Sequence, residues 1–170
     1  MVEEQFEDQF SDGDLADPKN FPDGVALLGE ISGASVEETE PRKWRKFEKP
    51  LKDGRTEVPV ITLTIRAKKF AGGGEIDPIY FSNFTSDFWM GKGDTVSRHM
   101  LANLVGALLG LTTEEKGQMS IREMVKSTLG AKVSFVNKLR SYVGRDGMER
   151  TQQQPTKLKA ATAEEVALLM

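Results

Sequence analysis

Seven cations and two aromatic rings share the segment PRKWRKFEKPLKDGR, residues 41–55. Arg42, Lys43, Arg45, Lys46, Lys49, Lys52 and Arg55 surround Trp44 and Phe47. Single-stranded nucleic acid asks for this mixture: cations for the phosphates and flat rings for the bases, each stacked base contributing about 1–3 kcal/mol. A solvated loop, or an arm that docks on an acidic protein, has the same composition. The chain as a whole is acidic, with a net charge of −3, but the acidity is local. Residues 1–24 carry −7, which leaves +4 for residues 25–170. A basic body behind an acidic leader directs attention to polyanionic partners.

Other chemistry is poorly supplied. There is no cysteine, hence no disulfide and no thiolate. His99 is the one histidine and has no partner for a zinc site of the usual kind. No serine sits in a Gly-x-Ser-x-Gly elbow. Gly72-Gly-Gly74 lacks the Lys-Ser/Thr of a phosphate loop and suits a hairpin turn. Carboxylates concentrate in the leader, without the paired burial that acid–base catalysis needs. The reading is a non-enzymatic protein with no cofactor and no metal.

The elements that must position the cations follow from hydrophobic period. Residues 1–23 read as a flexible or loosely attached acidic leader with no secretory signal, either a solubilising tail or, through Phe6, Phe10 and Phe21, a segment that docks on the basic groove and competes with DNA. Residues 24–36 read as a first strand, its Gly29 and Gly33 suiting a bulge. The basic segment then forms a long loop. Residues 58–68 alternate cleanly, Ile61, Leu63 and Ile65 on one face and Thr62, Thr64 and Arg66 on the other. Residues 76–84 are expected to form a third strand, with Ile79 and Phe81 inward and Tyr80 outward. Tyr80 is there either a stacking platform or a rim residue bonded through its hydroxyl. Phe88 and Trp89 are expected to pack under the following helix.

That helix is expected at residues 95–109, with Asp94 as N-cap, Gly110 as C-cap and an apolar stripe of Met100, Leu104 and Leu108. Ser120 and Glu123 form a capping box for a short second helix. Residues 131–142 return to alternation, with Val133, Phe135 and Leu139 inward and Lys132, Ser134, Lys138 and Arg140 outward. A turn at 144–147 leads to a last, polar strand at 148–158. The expected fold is therefore mainly β with α. It is a five-stranded OB-fold, a Greek-key barrel, with the long helix and its short companion between strands three and four. The barrel domain spans 24–160, and 161–170 is a tail. The longest nearly apolar run, 100–111, is too short to cross a bilayer, so no membrane is expected. Besides the loop, the expected nucleic-acid contacts are Arg66, Lys68, Tyr80, Lys132, Lys138, Arg140, Arg145 and Arg150.

Five stretches together resemble phage-encoded single-stranded-DNA-binding proteins of the OB type. They are Gly24-Val-Ala-Leu-Leu28, Ile61-Thr-Leu-Thr-Ile65, Tyr80-Phe-Ser-Asn-Phe84, the helix segment 101–110, and Leu129-Gly-Ala-Lys-Val-Ser-Phe135. The similarity lies in hydrophobic spacing and glycine placement over roughly residues 24–160. It implies a cofactor-free protein that coats single-stranded DNA during phage replication or recombination in the host cytoplasm. Phage or host replication and recombination proteins are then further partners. The chain departs from that pattern in its long basic first loop and in carrying its acidic segment at the N-terminus. The alternative class is an OB-fold protein-interaction module, such as a virion component or an inhibitor of a host factor.

Overall fold

The computed structural model describes residues 8–15, 17–37, 44–46, 57–90, 95–144 and 146–170. Strand β1 (Ala26–Glu37) lies between β3 (Glu57–Phe70) and β5 (Lys132–Val143), both antiparallel to it. The register of β1 on β3 shifts at Leu28/Gly29 and again at Ile31/Gly33, so the expected bulges are present. At the first of these a Cβ on residue 29 would lie 2.3 Å from the Arg66 carbonyl oxygen, which only glycine avoids. Beyond β3 lies β4 (Asn83–Trp89), and beyond β5 lies β6 (Glu149–Ala160). The fold is mainly β, an antiparallel sheet with helices. Its strand order, β4-β3-β1-β5-β6, is not closed by a ladder between β4 and β6 among the described residues.

The basic segment contains a strand of its own, β2 (Trp44–Lys46), where only a loop was expected. It pairs with the start of β3, on the edge that β4 takes up further along. The third expected strand is displaced. Residues 76–82 form a turn in which Asp77 accepts bonds from the backbone N–H groups of Ile79 and Tyr80. The strand begins only at Asn83. Pro78 and the aspartate favour a turn over a ladder there. The true alternation is Phe84 and Phe88 inward, Thr85 and Asp87 outward. Phe81, expected in the core, is half exposed.

Helix α2 (Thr95–Leu109) has the expected span. Gly110, at φ +69°, ends it, and the Leu111 N–H bonds back to the Gly106 carbonyl. The expected N-cap Asp94 lies outside the described residues. The buried stripe is rotated from the expected one. Leu101, Leu104 and Val105 enter the core, whereas Met100 is 58% and Val96 73% exposed. Two short helices follow rather than one. Thr112 and Glu115 make a reciprocal capping box for α3 (Thr113–Gln118), and Ser120 caps α4 (Ile121–Ser127). The C-terminal tail, whose residues allow a short helix, forms one, α5 (Ala163–Leu169), capped by Thr162, with Leu168 lying against Gly73. No helix among the described residues is long and apolar enough to cross a membrane.

The largest correction concerns the leader. It includes a short exposed helix, α1 (Asp12–Leu15), but residues 17–23 are part of the fold. Phe21 is fully buried, stacked on Tyr80 at 4.7 Å and within 6.0 Å of Phe70 and Phe84. Its backbone is bonded on both sides. The buried Asn137 amide donates to the carbonyls of Phe21 and Pro22. Gln153 accepts from the Phe21 N–H at 2.6 Å and donates to the Phe81 carbonyl at 2.9 Å. Lys19 bonds with the backbone of Ile79 and Phe81, and Asp23 accepts from the Leu139 N–H. The segment therefore wedges between the approach to β4 and strand β6, at one end of the open seam.

A wedge of this kind behaves as core. Phe21→Ala is expected to cost about 3–5 kcal/mol in urea unfolding, the range for a deleted buried phenyl ring. Phe10→Ala, on the exposed part of the leader, is expected to change the midpoint negligibly.

Candidate nucleic-acid interface

The ladder between β1 and β5 ends at Val136 of β5. Beyond it β5 and β6 continue as a two-stranded ribbon, turned at residues 144–147. Residues directly opposite on an antiparallel pair share a face. Lys138 faces Gln154, Arg140 faces Gln152, and Tyr142 faces Arg150. One side of the ribbon therefore presents three cations, an aromatic ring and two amides. Tyr142 is 45% exposed although its hydroxyl would permit deeper burial at a polar rim. Arg150 is held by Asp146 at 2.6 Å, in the turn.

This face runs into a groove of about 940 Å³ along the open seam. Arg140, Gln152 and Gln154 form one wall, Thr85 to Trp89 on β4 the other, and Val96 and Met100 of α2 close one end. The Trp89 N–H donates to Ser97, which ties strand to helix. The Oε1 atom of Gln154 is buried and has no donor among the described residues. Lys157, also on the groove, has a left-handed backbone at φ 52°, next to the register shift that bends β6. Holding a lysine there costs on the order of 1 kcal/mol. Among the described residues the groove also carries one anion, Asp87, which accepts a bond from Thr62.

Trp44 pairs with Pro59 and Trp89 with Val60. The two tryptophan positions are thus neighbours along one edge of β3, where the basic segment leaves the sheet. Arg45 and Lys46 share β2 with Trp44. Arg42, Lys43, Phe47, Lys49, Lys52, Arg55 and Arg145 lie outside the described residues.

The remaining expected contacts are elsewhere. Lys132 meets the Glu30 carboxylate at 2.6 Å and Lys68 meets it at 3.4 Å, so one carboxylate is shared by two cations and the cluster keeps a net positive charge. Arg66 is exposed beside this cluster, opposite Asn83 and Glu30. Tyr80 is half-buried with one ring face against Phe21, in the turn before β4, and does not line the groove. Tyr142, Trp89, Gln152, Gln154 and Lys157 are additions that sequence reasoning missed. For Tyr142 a signal existed, since it continues the outward series Lys138, Arg140.

The sequence matches no protein-family model and no curated protein. Among solved structures it is similar to one titled yeast RPA bound to ssDNA, with a TM-score of 0.39 and 13% identity, over 88% of this chain and 84% of that chain.

Glu30 gives a test of this cluster. The hydrogen bond from Lys132 holds its carboxyl below the usual glutamate range, and Lys68 adds to this, against an opposing effect of burial. A lowered folded-state pKa means that its stabilisation is complete above the unfolded value and lost as pH falls through the folded one. Glu30→Gln should therefore destabilise by a few tenths to about 1 kcal/mol at neutral pH, as partly exposed pairs do. Urea melts repeated at about pH 3 should show the difference between wild type and variant shrinking.

Proposed function

We propose that the protein binds single-stranded DNA without catalysis or cofactor, along the β5–β6 ribbon and the groove beside β4. The observation that carries this is the placement of Lys138, Arg140 and Tyr142, with the Asp146-paired Arg150 beside them, on one ribbon face that continues into a groove flanked by Trp89. The strand order fits an OB-type barrel left open at one seam. In such barrels, strands two and three and the loops joining strands one–two and four–five bind oligonucleotides. Here those loops are the basic segment and the ribbon turn. Cations hold the phosphates, and Tyr142, Trp89 and Trp44 supply ring faces. Lys68 and Lys132, which share the Glu30 carboxylate, and Tyr80 behind Phe21, are secondary. A role in phage replication or recombination, in the host cytoplasm, rests on the sequence resemblance alone.

Exposed Val143 and Met148 at the ribbon tip favour a second reading, a protein-docking module. Tryptophan fluorescence titrated with oligo-dT distinguishes the two. Single-tryptophan variants, Trp44→Phe and Trp89→Phe, assign the signal. Binding should weaken with salt at a logarithmic slope of about 0.7 per phosphate neutralised. Tyr142→Ala should lower affinity about 5- to 100-fold, the worth of one stacked base, without shifting the melt. No fluorescence change at low salt would reject DNA binding and leave the docking reading. Tighter binding of oligo-U than of oligo-dT would make RNA the ligand.

A further inference from the structure

The face of α2 turned away from the groove lines a second cavity, of about 410 Å³, closed by α3 and α4. This is within the range of roughly 300–1,000 Å³ typical of pockets that enclose small ligands or anchor side chains. Its floor is apolar: Leu101, Val105, Met124 and Val125. Its rim is cationic. Arg98 is held by a bond to the Met90 carbonyl at 3.0 Å, and Lys116 reaches over from α3. The stem of Lys116 lies on Gly106, where a Cβ would come within 2.9 Å of its Cδ. The missing side chain in mid-helix is what lets the ammonium sit at the cavity mouth. No carboxylate lines the cavity among the described residues.

The same chain carries the complementary chemistry. Residues 8–15 hold Asp8, Phe10, Asp12 and Leu15, with Phe10 81% and Leu15 70% exposed. Two large apolar side chains within an acidic segment thus lie uncovered on their own molecule. In its own chain the segment leaves these two side chains exposed, and none of its described residues lines the cavity, although Lys19 and Phe21 just beyond it are fixed to the sheet. We propose that this segment docks in the α2–α3–α4 cavity of a second copy, the Phe10 ring on the apolar floor and the aspartates on Arg98 and Lys116. Donor and acceptor are different surfaces, so the contact either closes by reciprocal exchange of two segments or repeats head-to-tail as a ring or an open chain. The inference does not rest on the nucleic-acid reading.

Sedimentation velocity of the full chain without nucleic acid tests it. Association should rise with protein concentration and weaken as salt increases from 50 to 500 mM. Phe10→Ser, on the donor, and Lys116→Glu, on the acceptor, should each raise the dissociation constant at least about tenfold with unchanged circular dichroism. Asp8→Lys/Asp12→Lys and Arg98→Glu/Lys116→Glu chains should each fail to self-associate yet associate when mixed. That rescue excludes a merely misfolded variant. A monomer at every concentration, or association indifferent to Phe10 and Lys116, would overturn the proposal. Because DNA is absent, either result leaves the binding reading to its own titration.

Discussion

The seating of Phe21 is the contact on which the rest of the architecture depends. Five strands in the order β4-β3-β1-β5-β6 leave two edges facing each other without a ladder. The structure fills one end of that gap with a phenyl ring and satisfies the incoming backbone with two amide side chains, Asn137 and Gln153. Buried backbone groups need such partners, since an unpaired one costs about as much as a lost hydrogen bond. The other end is bridged by α2, through Leu101, Leu104 and the Trp89–Ser97 bond. Between the two closures the seam stays open as the groove.

Electrostatics divides the cations into two populations. On the β5-β1-β3 face, Glu30 between Lys68 and Lys132 turns charge into local structure. On the ribbon, Lys138 and Arg140 are exposed and available to a ligand. Cations equal by composition are therefore unequal by neighbourhood, and the difference is made by one glutamate on β1.

Much of the framework was legible in the residues. β1, β3, α2 and β5 follow from alternation, three-to-four spacing and glycine placement, because each buries one face against a single core. What failed depends on contacts remote in sequence. An acidic context disguised Phe21, whose burial is decided by Asn137 and Gln153. Tyr80-Phe81 has strand composition, but Pro78 and Asp77 turn the chain before a ladder can start. Val96 and Met100 belong to the apolar period of α2 yet stand at the groove, because the sheet is open beneath them. Pairing of Lys132 with Glu30 is invisible without the β1–β5 register.

The Phe21–Gln153 bond joins residues 132 apart in sequence. Both amides that hold the wedge, Asn137 and Gln153, stand on β5 and β6. The wedge therefore waits for the β5–β6 hairpin, while β1, β3 and β4 pair through shorter loops. Until Phe21 is seated, the aromatic cluster of Tyr80, Phe84 and Phe135 lacks the ring that covers it at the open seam. The acidic residues preceding Phe21 would then act as a charged gatekeeper, discouraging sticky encounters between half-folded chains until the ring is in place.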